Sequence, residues 1–168
     1  MIINTPHSRV INVSSIAHMY GNMNFDNLLF ENGKGYTPMK AYGRSKLMNL
    51  LFTYELQRYF EKNDIDSMAL AAHPGVSSTK LFRHLRNTTL FRLIGPAWKL
   101  ISQKKDMGAL PQIRAAVDKS VKGGEFYGPH MWLGGYPVKV KSGKASYNPE
   151  HARRLWEISE DITGVKID

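Results

Sequence analysis

The hydrophobic and polar positions fall into alternating short and long periods. Residues 9–13, Arg-Val-Ile-Asn-Val, form a β-branched run that ends at Ser14-Ser15 and predicts a buried strand. Residues 16–38 have no sustained period and are punctuated by Gly21, Gly33, Gly35 and Pro38, which predicts an irregular segment. From 40 to 62 only Gly43 interrupts a strongly helix-favouring stretch. Its apolar residues Leu47, Met48, Leu50, Leu51, Phe52, Tyr54 and Leu56 wrap most of the circumference, so this helix should be buried on more than one face. A second strand is predicted over 67–72 and is stopped by His73-Pro74-Gly75. Helical patterns follow over 79–86, 89–101 and 107–119, and Phe126-Tyr127 reads as a third strand after Gly123-Gly124. Asn148-Pro149-Glu150 opens a last helix to about residue 162, with Gly164 beyond its end. Strands alternating with helices argue for an α/β fold with a parallel sheet and crossover helices.

Composition narrows this picture. A chain of 168 residues with 42% hydrophobic residues and 18 aromatics (7 Phe, 8 Tyr, 3 Trp) buries a sizeable core and is not a disordered segment. The absence of Cys excludes disulfides, thiolate metal sites and a cysteine nucleophile. No run approaches a membrane-spanning length, and the first residues lack the order of a signal peptide, so a cytoplasmic location is expected. The six His show no helical pair of metal-ligand spacing, so no metal is expected. Ser15 is not in a Gly-x-Ser-x-Gly elbow, which argues against a serine hydrolase. The net charge of +9 is local. Residues 80–122 hold ten basic residues and only Asp106 and Asp118 as acids, which gives +8. Interleaving with Leu81, Phe82, Leu85, Phe91 and Trp98 suits an anionic membrane surface, but solvated surface helices covering a pocket are the commoner origin of such a pattern. Nucleic acid is not expected as a partner.

Tyr42 and Lys46 stand four residues apart near the start of the long helix, on one face and about one turn from each other. A phenol beside an ammonium can exchange protons because the positive charge stabilises phenolate. A hydroxyl at the end of the preceding strand, Ser14 or Ser15, can hydrogen-bond the same reacting oxygen. Taken alone, Tyr-x-x-x-Lys occurs on any helix rich in aromatics and lysines.

Three motifs in order make it specific. Arg9-Val10-Ile11-Asn12-Val13-Ser14-Ser15, Ala41-Tyr42-Gly43-Arg44-Ser45-Lys46 and His73-Pro74-Gly75-Val76-Ser77-Ser78-Thr79 fall on a strand end, a helix start and a strand end. Together they resemble the short-chain dehydrogenase/reductase family, in its retinol-dehydrogenase-like branch with the relatives of WW-domain oxidoreductases. Further likenesses are Ser15-Ile16-Ala17-His18, the long insert before Tyr42, residues 47–53, and Ser146-Tyr147-Asn148-Pro149-Glu150 with Arg154-Leu155-Trp156-Glu157. The resemblance implies NAD(P)-dependent interconversion of an alcohol and a carbonyl, with a lipophilic small molecule as substrate. Tyr42 would give the proton to the carbonyl oxygen or take it from the alcohol. Lys46 would bond the nicotinamide ribose and favour phenolate, and Ser15 would orient the substrate oxygen, with Ser14 structural and His18 part of the loop. Pro74, Gly75 and Val76 would bring backbone close to the nicotinamide, Thr79 would offer a hydroxyl nearby, Tyr42 and Lys46 would complete the cofactor site, and residues 80–105 would form a substrate lid.

The resemblance also implies a gap. The family's glycine-rich turn and its Asn-Asn-Ala-Gly motif are not found in this sequence. The whole of 1–168 therefore reads as the C-terminal, catalytic half of one partial Rossmann-type, doubly wound parallel domain without its N-terminal strands. Strand 9–13 would then be an unpaired edge with exposed apolar surface. Several expectations follow: contact with the nicotinamide end only, with NADP favoured over NAD by resemblance; weak dinucleotide binding and poor stability for this polypeptide alone; and a missing N-terminal half, or a homodimer through helix 40–62, as partner. The competing readings are a non-catalytic remnant acting as an interaction module, and one half of a split enzyme.

Overall fold

A computed structural model of the chain describes residues 2–75 and 105–167. The helices expected over 79–86 and 89–101, the lid, and Val76 and Thr79 lie outside the described residues. Four strands form one sheet in the order β1-β2-β3-β4: β1 (Ser8–Val13), β2 (Ser67–Ala72), β3 (Phe126–Pro129) and β4 (Pro137–Val140). The first three are parallel, with Ser8 opposite Ser67, Val13 opposite Ala72 and Ala71 opposite Phe126. β4 returns antiparallel to β3, from Val140 opposite Phe126 to Pro137 opposite Pro129. This fourth strand was not anticipated. Four residues led by Pro carry little periodic signal, and only pairing with β3 makes them a strand.

β2 is buried along nearly its whole length, and its alternation assigns the layers. Ala69 and Ala71 face helix α1 (Pro38–Lys62), through Leu56 and Phe60 and through Leu50 and Tyr54. Leu70 and Ala72 face the other way, onto Ala115 of α2 (Lys105–Val117) with Val121 and Tyr127. Helices therefore cover both faces of the sheet, as parallel strands require. The remaining apolar stripe of α1, Leu47 and Leu51, is covered by Ala152 and Leu155 of α3 (Pro149–Thr163). The all-round apolar pattern of α1 is thus used within the chain. β1 pairs with β2 alone among the described residues, and Val13 at its end is 42% exposed.

Helix boundaries follow local chemistry. α1 begins at Pro38, two residues earlier than its apolar period suggests, because Thr37 accepts the Lys40 backbone N–H at 3.2 Å and Pro suits the first helical position. α3 is capped by Asn148, whose side chain accepts from the His151 N–H at 3.0 Å, and ends at Gly164 in the left-handed region with φ +67°. The last carbonyls of α2 are met by Arg9, whose Nη1 donates to the Ala115 and Asp118 oxygens at 3.0 and 2.9 Å.

Candidate active site at the strand ends

β1 and β2 stop in register, so Ser14-Ser15 and His73-Pro74-Gly75 leave the sheet side by side at its C-terminal edge. That edge is where open α/β sheets place their ligand crevices. The Ser14 N–H continues the ladder to the Ala72 oxygen at 2.8 Å, and the buried Ser14 hydroxyl donates to the Lys46 carbonyl at 2.8 Å. This second bond fixes α1 against the strand end at the turn that carries the Tyr–Lys pair.

Lys46 reaches back over the same point. Its Nζ donates to the Val13 carbonyl at 3.2 Å, beside Asn49 Nδ2, which donates to the same oxygen at 2.9 Å. The ammonium lies 5.6 Å from the centre of the Tyr42 ring, within range of a cation–π attraction. No described residue hydrogen-bonds the Tyr42 hydroxyl. Ser15 stands at the adjoining strand end, where its Oγ accepts the Ala17 N–H at 3.2 Å and caps the turn Ile16–Tyr20. That leaves the hydroxyl proton free to donate. Ser15 has no direct bond to Tyr42 among the described residues, so Tyr42 and Lys46 meet directly while Ser15 joins them through the shared strand end.

Gly43, between Tyr42 and Arg44, has a steric reason. A Cβ there would come within 2.9 Å of the Ala17 carbonyl, and one on Gly21 within 2.6 Å of the Gly43 carbonyl, so the turn after Ser15 lies directly on the helix backbone. Gly75 has another. Its φ is +66°, and a Cβ would stand 2.6 Å from the Leu133 carbonyl and 2.7 Å from Pro129 Cγ. The 129–133 turn thus excludes a side chain at Gly75.

Two histidines hold this edge together: His18, expected as part of the loop, and His73, expected only as the stop of the second strand. His18 is buried, with Nδ1 2.6 Å from the Ser15 carbonyl and Nε2 accepting the Gly143 N–H at 2.8 Å. Those partners fix the Nδ1–H tautomer, and burial holds its pKa below the usual value despite the Ser15 carbonyl, which acts oppositely. The signal available was the three-residue return from His18 to Ser15. His73 is fully buried, and its Nδ1 accepts the Gly75 N–H at 3.2 Å, which places the proton on Nε2. Burial first, and the neighbouring His18 second, push its pKa down to about 4. Nε2 of His73 has no partner among the described residues and faces Gly128.

A phenol, an ammonium and a hydroxyl thus gather where the parallel strands β1 and β2 end, in a sheet covered by helices on both faces, the arrangement of an open α/β fold whose ligand crevice lies at the strand ends. Comparison with known proteins carries this further. Human retinol dehydrogenase 13 is 34% identical over 164 residues, covering 95% of this chain and 46% of that protein. Human retinol dehydrogenase 11 is 33% identical over 165 residues (96% and 47%), and human polyprenol dehydrogenase 33% over 164 (94% and 46%). A crystal structure of an uncharacterized protein from Mycobacterium Paratuberculosis superposes with a TM-score of 0.77 at 33% identity, over 96% of this chain and 52% of that one. No family model matches the chain. Along nearly all of its length the chain is similar to retinol dehydrogenases, members of the short-chain dehydrogenase/reductase family. It spans about half the length of the curated relatives it matches.

Proposed function

We propose that this chain carries the proton-transfer residues of an NAD(P)-dependent oxidoreductase that interconverts an alcohol and a carbonyl. The observation that supports this most is Lys46, which lies over the Tyr42 ring while bonded to the carbonyl that ends β1. In reduction the Tyr42 hydroxyl donates its proton to the carbonyl oxygen, and in oxidation the phenolate takes the proton from the alcohol. The Lys46 ammonium offsets the negative charge on the phenolate, and Ser15 donates its free proton to the same substrate oxygen.

The residues present suit the nicotinamide end of the cofactor. Among the described residues Lys46 donates only to Val13, so two of its three N–H groups remain for ribose hydroxyls. Pro74 and Gly75 follow β2 at the same edge, next to the strand end that carries Ser15. When bound, NAD(P) supplies the hydride; the protein supplies placement and the proton. A lipophilic alcohol or aldehyde as substrate rests on the likeness to retinol and polyprenol dehydrogenases, whereas NADP ahead of NAD rests on the motif resemblance alone.

The test joins this chain to the portion of a matched relative that it does not cover and follows cofactor oxidation with a long-chain aldehyde and with a short one. Turnover with NADPH, faster for the long-chain aldehyde, is the expected result. Binding of cofactor and aldehyde without turnover would overturn the assignment and favour a non-catalytic interaction module.

A further inference from the structure

On the side of α1 turned away from Tyr42 lies a cavity of about 290 Å³ between the helix and the irregular segment before it. Its wall contains three cations, Lys34, Lys40 and Arg44, and no carboxylate; the other polar lining comes from asparagine and tyrosine side chains. Arg44 stands two residues beyond Tyr42, or about 200° around the helix, so this is a different place from the candidate active site.

Among the described residues these charges have no counter-ion. Arg44 is only 8% exposed. Its Nε donates to the Asn22 carbonyl at 2.9 Å, Nη1 donates to the Asn27 and Leu28 carbonyls at 2.6 and 2.8 Å, and the guanidinium covers the Phe30 ring at 3.9 Å. Nη2 has no partner among the described residues and is not buried away from solvent, in a side chain that lines the cavity. No described carboxylate comes within 4.0 Å of any nitrogen of Lys34, Lys40 or Arg44, including those of Asp26 and Glu31 on the same segment. Lys40 and Arg44 are also like charges four apart in the first two turns of α1, whose first turn has no acid. That arrangement repels internally and opposes the helix dipole. A buried guanidinium held only by neutral carbonyls keeps its full charge to offer to an anion.

We propose that this cavity binds a phosphate-type oxyanion, held by Arg44 Nη2 and the ammonium groups of Lys34 and Lys40. Asn24 adds a neutral donor: its Oδ1 is occupied by the Asp26 N–H at 3.1 Å, which leaves its amide N–H groups to donate. Occupancy offsets the Lys40–Arg44 repulsion and ties the segment before α1 to the turns that carry Tyr42. The inference stands apart from the oxidoreductase reading and does not depend on turnover.

The experiment is isothermal titration of the whole chain with inorganic pyrophosphate, and separately with phosphate, at about 0.15 M salt. Lys34→Gln/Lys40→Gln removes two ligands at exposed positions, so the fold is not put at risk. Lys62→Gln/Lys166→Gln removes the same net charge far from the cavity, at exposed positions. Saturable binding by the parent chain is expected, about tenfold or more weaker in the first double variant and unchanged in the second. No heat from the parent chain at about ten-millimolar anion, or equal weakening in both double variants, would overturn the site; equal weakening would mean diffuse attraction by net charge.

Discussion

His73 makes stability depend on pH in a window that ordinary surface histidines do not produce. The side chain is fully buried between Phe126, Trp132 and Gly128, with its one described side-chain bond made to the Gly75 N–H. Unfolded, the imidazole titrates at 6.5; folded, burial and the nearby His18 push it down to about 4. The folded pKa is the depressed one for a base, so the unfolded chain binds the extra proton first and stability falls as pH drops below 6.5. Each pH unit inside the window costs about 1.4 kcal/mol, hence about 2 kcal/mol between pH 7.5 and pH 5. His18, also held low by burial, adds to the loss with the same sign. Asp118 and Glu125 are both shifted down, away from the window. Ser120 holds the Asp118 carboxyl low through its backbone N–H and hydroxyl, and at Glu125 burial acts upward but is outweighed by Lys139 and Tyr127. The assay is urea unfolding at pH 7.5 and 5.0 of the parent and of His73→Asn. Asparagine keeps an acceptor for the Gly75 N–H but does not titrate. The parent should lose about 2 kcal/mol or more and the variant only the share due to His18. An identical loss in both proteins, or a flat parent profile, would refute the reasoning.

Two further outcomes follow from the packing. Gly128→Ala puts a Cβ 2.0 Å from His73 Nε2 and should destabilise by about 1–3 kcal/mol in the same unfolding assay, with most of the cost relieved when His73→Asn shortens the ring side. Thr37→Ala removes the cap of α1 and should cost about 1 kcal/mol, seen as a lower urea midpoint at unchanged slope.

Elements with strong periods were legible in the sequence. The β-branched run became β1, the apolar helix became α1, and the Asn-Pro-Glu start with Gly164 at the end marked α3, because each is dictated by residues close in the chain. β4 was not legible, since Pro137–Val140 is a strand only by virtue of Phe126–Pro129 beside it. The Tyr42–Lys46 pair was visible as a helical spacing. The Ser14 bond to the Lys46 carbonyl and the His18 and His73 contacts were not, because they join residues brought together by the parallel register of β1 with β2 and by packing across the sheet edge. Gly75 shows the same limit: the motif marked it, but the Leu133 carbonyl that excludes a side chain there is 58 positions away in the chain.

The central claim is that the Tyr42 hydroxyl moves the proton. Tyr42→Phe removes one oxygen from a half-buried side chain whose hydroxyl has no described partner, so the fold should be unaffected. In the protein completed with the uncovered portion of a relative, aldehyde reduction should fall by about a hundredfold or more at unchanged cofactor affinity. Equal rates for Tyr42→Phe and the parent would contradict the account.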